Sequence, residues 1–310
     1  PQEGTISMKL SLVDQITVPP GLSAYDAFEE TLKTARHAEA LGFHRMWFAE
    51  HHGLATVAAH APEVLMPVVA RETKRMRIGS GAILLNHYSP LKVAELFLQM
   101  ECLAPGRFDL GLGRATTGPM VDLALKRDRG SPSLDDFDQQ DQEVLAFLHD
   151  DFPADHPFRD IKLMPTIKAR PEPWILGSSG NGVRIAAALG LGYSFASFIN
   201  PNGAAAALQH YRKHFKPTRY GSQTPQVMLS ICVFAAETDA EAHRMTWPTR
   251  VMFAGLHRSR GPGFIPTIEE AERILPPQLR DAPSQIKRDY RPQQLAGSTK
   301  TLRGQLTQLI

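Results

Sequence analysis

The chain has 310 residues, of which 43% are hydrophobic and 21% are charged, so it can bury a large core and is not a disordered segment. Its 34 basic and 32 acidic residues leave a net charge of +2 and form no basic run, which argues against a nucleic-acid partner. Cys102 and Cys232 are the only cysteines, which is too few for a disulfide framework or a cysteine zinc site. We therefore expect a cytoplasmic protein. No apolar stretch reaches the roughly 18 residues of a membrane span, so we expect no membrane partner.

Short apolar runs alternate with longer amphipathic runs along most of the sequence. The apolar runs predict seven strands, over 8–13, 45–49, 77–85, 107–112, 174–176, 193–196 and 226–235. The amphipathic runs predict helices over 25–41, 62–73, 89–104, 135–149, 183–189, 201–215, 239–257 and 299–310. This alternation predicts parallel strands that are joined by crossover helices.

A doubly wound sheet and a (β/α)8 TIM barrel both fit this order of elements, and the length favours the barrel as a single domain over 1–310. Residues 1–7 are interpreted as a tag remnant or a loose arm. Two proline-rich stretches, 150–173 and 260–297, are predicted to be insertions. No eighth strand follows Ile310, so we expect the C-terminal eighth strand of the barrel to be missing from this chain.

The chemistry of such a barrel lies where its strands end. After the fifth predicted strand, the Gly/Ser-rich stretch 177–182 opens a helix, and the first N–H groups and the dipole of a helix favour an anion. Arg114 ends the preceding strand, and its guanidinium can hold a phosphate through two parallel hydrogen bonds. Each feature alone is more often an ordinary turn or a solvated arginine. Together, on neighbouring strands, they predict a cofactor that carries a phosphate.

Glu50, His51 and His52 follow the second predicted strand. Two histidines and a carboxylate are typical zinc ligands, but adjacent residues of an extended segment point to opposite faces, which disfavours a shared metal. We expect one histidine to face the pocket as an acid or base and the other to be a structural hydrogen-bonding group. The small pair Gly81-Ala82 fits either a flat ligand close to the backbone or tight packing.

Several segments, in this order, resemble the bacterial luciferase-like flavin monooxygenases, and most closely the small single-chain oxidoreductases of that family. The matching segments are 14–15, 41–43, 47–52, 78–81, 89–95, 105–114, 174–179 and 188–192. The resemblance covers about residues 8–302. It implies a (β/α)8 barrel, a homodimer, reduced FMN supplied by a separate flavin reductase, and O2 as co-substrate.

The resemblance also assigns roles to residues of this chain. It places the catalytic histidine at His51, supported by Glu50, and the arginine that binds the flavin phosphate at Arg114. It places a second phosphate loop at Gly177, Ser178, Ser179 and Gly180. The flavin ring would lie near Gly81 and Ala82, whose peptide bond is often cis in the family. No metal is implied.

Three positions depart from the light-emitting members of the family. Their reactive cysteine corresponds to Gly113, so a thiol role is not expected here. A glutamate of those members corresponds to Gly177, and a tryptophan to Ser197. We expect the two insertions and the 116–133 loop to close over the flavin as lids. The candidate walls of an apolar substrate cavity are Trp47, Phe48, Tyr88 and Phe198.

The sequence therefore predicts a monooxygenase that uses reduced FMN and O2 to oxidise a small organic substrate. Two alternatives keep the barrel: a deazaflavin-dependent hydride transfer without O2, and a flavin-binding protein without catalysis. A metal-dependent hydrolase built on His51, His52 and His60 has little weight because the spacing of these histidines is poor.

Overall fold

The computed structural model describes residues 8–115, 118–126, 129–130, 136–164, 166–256, 265–287 and 292–309. The predicted arm at 1–7 and part of the predicted 116–133 lid lie outside these residues. Within the described ranges, every helix is too short or too polar to cross a lipid bilayer.

Strands and helices alternate through most of the described chain. The strands are β1 Ser11–Asp14, β2 Arg45–Phe48, β3 Arg77–Ser80, β4 Ile83–Leu84, β5 Phe108–Gly113, β6 Glu172–Gly177, β7 Gly192–Ala196, β8 Val227–Ser230, β9 Cys232–Ala235 and β10 Gln294–Gly297. The helices are α1 Ala24–Ala40, α2 Pro62–Glu72, α3 Pro90–Leu103, α4 Pro119–Leu125, α5 Phe137–His149, α6 Gly180–Leu189, α7 Ala204–His214, α8 Asp239–Met245, α9 Trp247–Phe253, α10 Ile268–Ile274, α11 Pro277–Arg280 and α12 Thr299–Thr307.

A curled parallel sheet forms the centre of the molecule, and helices surround it. Its strand order is β1-β2-β3-β5-β6-β7-β8, with β4 paired to β5. The inner strands β2 and β5 are buried along their whole length, whereas the residues of β1 and β8 are exposed or half-buried. Among the described residues these two strands do not pair with each other. The sheet is therefore a TIM-barrel-like α/β fold, which confirms the predicted fold class.

Two predicted strands are divided in the structure. The predicted strand 77–85 becomes β3 and β4, separated by Gly81 and Ala82, and their peptide bond is cis, as predicted. The predicted strand 226–235 becomes β8 and β9, with Ile231 between them.

The predicted insertion 260–297 contributes a strand as well as helices. Its last four residues form β10, which pairs in parallel with β9 and brings Gln294 opposite Cys232. The predicted helix 239–257 also divides, into α8 and α9, with Thr246 between them and Pro248 in the first turn of α9. Proline lacks the N–H that a continuous helix requires, so a new helix starts there.

The predicted insertion 150–173 lies at the end of the sheet where strands begin. Met164 Sδ is 3.8 Å from Cys102 Sγ near the end of α3, and the Tyr220 hydroxyl from the α7–β8 connection donates to Asp151. Connections from a helix to the next parallel strand all lie at this end, opposite the strand carboxyl ends. The prediction that this segment closes over a flavin is therefore wrong.

A buried charge cluster joins four strands where they begin. Asp109, the second residue of β5, is fully buried, and its Oδ2 is 2.6 Å from Nη1 of Arg45. Its Oδ1 is 2.5 Å from Nη2 of Arg77, and Trp47 Nε1 donates to Oδ2 at 2.8 Å. Glu172 Oε1 is 2.9 Å from the other terminal nitrogen of Arg45. Two carboxylates and two guanidinium groups therefore balance each other inside the sheet.

Replacing Asp109 by Ala would leave two guanidinium groups with too little compensating charge in a buried place. We expect Asp109→Ala to lower the free energy of unfolding by about 3–5 kcal/mol, measured by urea denaturation. The matched control is Glu72→Ala, which breaks the exposed ion pair between Arg36 and Glu72 at 2.7 Å. Glu72→Ala should lower the free energy of unfolding by less than about 1 kcal/mol. Equal losses in the two variants would contradict the role assigned to the cluster.

The carboxyl group of Asp141 is also buried, but no hydrogen bond from a described residue satisfies it. Asp141 on α5 is fully buried, and neither of its carboxyl oxygens has a hydrogen-bond partner in the described part of the chain. Burial, together with the nearby Asp138, raises the pKa of Asp141 to about 8. In an unfolded chain the pKa of an aspartate is about 3.9, so the folded protein holds a proton that the unfolded chain releases.

The free energy of unfolding should therefore fall as the pH rises through the window between about 4 and about 8. One proton contributes at most about 1.4 kcal/mol per pH unit to this slope. Asp141→Asn removes the titration, so its advantage over the parent protein should grow from pH 5 to pH 8. Urea denaturation at four pH values measures both slopes, and parallel slopes would show that Asp141 does not titrate in this way.

Candidate active site

The carboxyl ends of the sheet strands bring most of the predicted site residues to one end of the molecule. Glu50, His51 and His52 follow β2, and a short 3-10 turn, Leu85–His87, follows β4. Arg114 follows β5 directly. Because all these strands are parallel neighbours, their ends form a single rim.

Glu50 is the buried anchor of this rim. Its side chain is fully buried, Oε1 lies 2.7 Å from His52 Nε2, and Oε2 accepts from the backbone N–H of Leu84 at 3.0 Å. The carboxylate thus joins the end of β2 to β4. We expected Glu50 to support His51, but the structure places it on His52, because the side chains at positions 50 and 52 share one face of the extended segment.

His51 is half-buried beside this pair. Its backbone N–H donates to the carbonyl of Ala59 at 2.7 Å, and its Nδ1 is buried with no hydrogen-bond partner in the described chain. Burial, with the positive charges that His52 and His60 carry when protonated, lowers the pKa of His51. The imidazole is therefore neutral at pH 7 and can accept a proton, as an acid–base group requires.

Three further imidazole rings lie around the Glu50–His52 pair. The ring of His52 lies 6.5 Å from that of His60, in a stacked arrangement, and 6.0 Å from that of His87, edge to face. His60 Nδ1 is 2.8 Å from the carbonyl oxygen of His51. The described residues contain no group of three side chains placed to hold a metal ion.

Two more titratable residues, Glu63 and Tyr88, belong to the cluster around Glu50. Nothing in the sequence indicated that either would lie near Glu50. Glu63, in the first turn of α2, has a buried Oε2 without a hydrogen-bond partner among the described residues. Burial, with the charge of Glu50, raises the pKa of Glu63. Burial and the charges of Glu50 and Glu63 also raise the pKa of Tyr88. No sequence motif marks these residues, because they approach Glu50 only through the fold.

Helix α4 covers the cluster from the side of β5. Gly53, at φ +69°, lies so close to α4 that a Cβ there would be 2.7 Å from Cγ2 of Val121. On the next residue of α4, Oδ1 of Asp122 lies 3.8 Å from Nε2 of His87, whose side chain is only 5% exposed. The part of the predicted 116–133 lid that the structure describes thus packs on the rim.

The two predicted phosphate-binding features are neighbours. β5 and β6 are paired parallel strands, with Leu112 opposite Ile175. Arg114 directly follows β5 and Gly177 is the last residue of β6, so both stand at the carboxyl ends of neighbouring strands. The carbonyl of Ser178 accepts from Asn200 Nδ2 at 3.0 Å. Helix α6 begins after Ser179 without a side-chain cap from any described residue, so its first N–H groups are available to a ligand.

The predicted cavity walls separate into two groups. Tyr88 lies beside Glu50, and Phe198 is half-buried after β7. Trp47 instead extends its indole to Asp109 in the buried charge cluster, and Phe48 is fully buried in the main core. Trp47 and Phe48 were therefore wrong predictions for the cavity wall, because their side chains are taken up by the interior.

Comparison with known proteins gives a consistent result along the whole chain. The model of the family described as luciferase-like monooxygenase matches residues 8–308. The chain belongs to the luciferase-like monooxygenase family. It is 38% identical over 308 residues to protein YceB of Bacillus subtilis (strain 168), covering 97% of this chain and 89% of that protein. It is 37% identical over 238 residues to the N-acetyl-S-alkylcysteine monooxygenase of the same organism, and the match covers 76% of this chain and 70% of that protein.

Among solved structures, apo-MsnO8 is 36% identical, has a TM-score of 0.83, and is matched over 98% of this chain and 89% of its own. Two structures of lower sequence identity share only the fold with this chain. The oxygenating constituent of 3,6-diketocamphane monooxygenase from Pseudomonas putida, solved in complex with FMN, is 19% identical with a TM-score of 0.65, over 98% of this chain and 88% of its own. The coenzyme F420 dependent tetrahydromethanopterin reductase of Methanopyrus kandleri is 11% identical with a TM-score of 0.64, over 98% and 90%.

Proposed function

We propose that this luciferase-like chain is a monooxygenase that uses reduced FMN and O2 to oxidise a small organic substrate. The observation that carries the proposal is that β5 and β6 are neighbouring parallel strands, so Arg114 after β5 and the start of the uncapped helix α6 after β6 lie at the same end of adjacent strands. A guanidinium beside free helix N–H groups suits a phosphate. A protein of the same fold that was solved with FMN supports FMN as the cofactor.

The residues present fit such a cofactor. Arg114, Ser178, Ser179 and the first N–H groups of α6 would hold the phosphate, with Gly177 and Gly180 giving it room. A Cβ built on Gly180 would meet no atom within 4 Å. The flavin ring would lie near the cis peptide of Gly81-Ala82. When bound, the flavin supplies the activation of O2, and the chain supplies position and exclusion of water.

His51 is the proposed acid–base group, and Glu50 acts on the site through His52. The neutral imidazole of His51 accepts a proton from the reacting groups and returns it later in the cycle. Glu50 holds His52 and the Leu84 N–H in place, which fixes the end of β2 against β4. Glu50 is thus a positioning residue in this proposal.

A deazaflavin-dependent hydride transfer is the second candidate, because a protein of the same fold uses coenzyme F420. FMN and F420 both carry a phosphate, so Arg114 and α6 suit either. Parallel titrations of the protein with reduced FMN and reduced F420 distinguish the two. Tighter binding of F420 by more than about tenfold would favour the second candidate.

Delivery of reduced FMN by a separate flavin reductase and assembly as a homodimer belong to the same proposal. The apolar side chains of Val64 and Val68 on α2 and of Leu103 on α3 support the homodimer. They are 70%, 46% and 60% exposed, and packing against a second copy would remove this apolar surface from water.

Replacing Arg114 by Gln should weaken FMN binding because the phosphate loses a charged, two-bond partner. We expect Kd to rise about 10- to 100-fold, measured by quenching of FMN fluorescence. Arg36→Gln, which changes an exposed arginine on α1, is the matched control and should leave Kd unchanged. Equal Kd values for the Arg114 variant and the parent protein would refute the phosphate site.

Replacing His51 by Ala should lower kcat about 100-fold or more while Kd for FMN changes less than threefold, because a general acid–base group contributes roughly 10²–10⁴. Oxygen uptake with a flavin reductase and an N-acetyl-S-alkylcysteine, the substrate class of a relative, provides the assay. Since the pKa of His51 is lowered, the parent enzyme should lose activity only at pH values below the usual imidazole range. An unchanged kcat in the variant would remove His51 from the reaction.

A further inference from the structure

The short turn Leu85–His87 connects two parts of the site that are far apart in the sequence. The side-chain amide of Asn86 donates to the carbonyl of Ala115 at 3.3 Å, and its Nδ2 is also 3.1 Å from Nε2 of His87. Ala115 is the neighbour of Arg114. Asn86 therefore links His87 to the backbone that carries the proposed phosphate ligand.

The same nitrogen of His87 faces a second partner. Nε2 of His87 lies 3.8 Å from Oδ1 of Asp122 on α4. An amide nitrogen donates, so Nε2 accepts from Asn86 only when it carries no proton. A carboxylate accepts, so Nε2 bonds Asp122 only when it carries one. The two contacts require opposite protonation states of one atom.

We infer that Asn86 and His87 are positioning residues of the site, and that the proton on His87 Nε2 selects which contact is made. In the neutral form that carries its proton on Nδ1, Nε2 of His87 accepts from the Asn86 amide. The same amide donates to the carbonyl of Ala115, next to Arg114. In the protonated form Asn86 loses that acceptor and Nε2–H donates to Asp122, which holds α4 on the rim. The effect on the phosphate ligand rests on the proposed function, whereas the effect on α4 does not.

The surroundings of His87 determine where this change occurs. Asp122 faces it from α4, and Glu50 and His52 face it from the end of β2. Burial lowers the pKa of His87, and the two carboxylates oppose this only in part. The neutral form therefore prevails at pH 7, and the change occurs on the acid side of the usual imidazole range. The α4 contact of Val121 with Gly53 needs no proton and remains in both forms.

Hydrogen exchange of the protein without flavin, measured by mass spectrometry from pH 5 to pH 8 and corrected for intrinsic rates, tests the α4 contact. The amides of 120–125 should become about fivefold better protected as His87 gains its proton, which is the effect of one ion pair. His87→Gln, which keeps a neutral acceptor, and Asp122→Asn, which keeps the shape of the carboxylate, should abolish this change. His214→Gln, on the exposed surface of α7, should behave like the parent protein.

The same four proteins are then titrated with FMN at each pH. Affinity should fall on acidification in the parent protein and should fall less in His87→Gln, where only the titration of the FMN phosphate and of the remaining groups of the cluster is left. The inference is overturned if His87→Gln keeps the parent's pH dependence of exchange, or if α4 loses protection on acidification. Absence of FMN binding at every pH, with the exchange result as expected, would instead refute the FMN proposal and leave the α4 contact standing.

Discussion

The placement of the site depends on the charge cluster around Asp109. Strands β2, β3, β5 and β6 each contribute one charged side chain within two residues of their start, and all four groups meet at Asp109 or Glu172. A slip of any of these strands by one residue would turn its charged group to the other face. Because buried ion pairs add little net stability compared with apolar packing, the main effect of this cluster is to specify register. The register then fixes which residues stand at the opposite ends.

Small residues allow the strands to approach as closely as this register requires. A Cβ on Gly111 would lie 2.0 Å from the carbonyl oxygen of Ser80, and a Cβ on Gly79 would lie 2.6 Å from the ring of Trp47. Any side chain at Gly111 would push β5 away from β3. The hydroxyl of Ser80 also bonds the N–H and the carbonyl of Gly111, at 3.0 and 2.8 Å. These glycines, which in the sequence look like ordinary strand residues, therefore allow the close strand packing that brings Arg114 to the rim.

The sequence predicted those features that repeat or that stand in one continuous segment. Apolar runs located the strands, and the strand ends pointed to the segment 50–52, to Arg114 and to the stretch 177–182. The family resemblance then selected His51. The sequence did not reveal Glu63, His87 or Asp122, because each is an ordinary polar residue until the fold brings it near Glu50. A charged residue inside an apolar run, as at Asp109, was the available sign of a buried cluster. The side of the barrel on which 150–173 lies was also readable, since it joins a helix to the strand that follows.

The titratable groups near Glu50 are too close together to act independently. His52 Nε2 lies 2.7 Å from Glu50 Oε1, and the charge of Glu50 acts on Glu63, Tyr88 and His87 as well. A proton gained by one member changes the proton affinity of the others, so the pH dependence of the site is a property of the whole cluster. His51 stands at its edge, with a lowered pKa and a buried nitrogen that no described group holds. A neutral imidazole in that position suits the acid–base role proposed for His51.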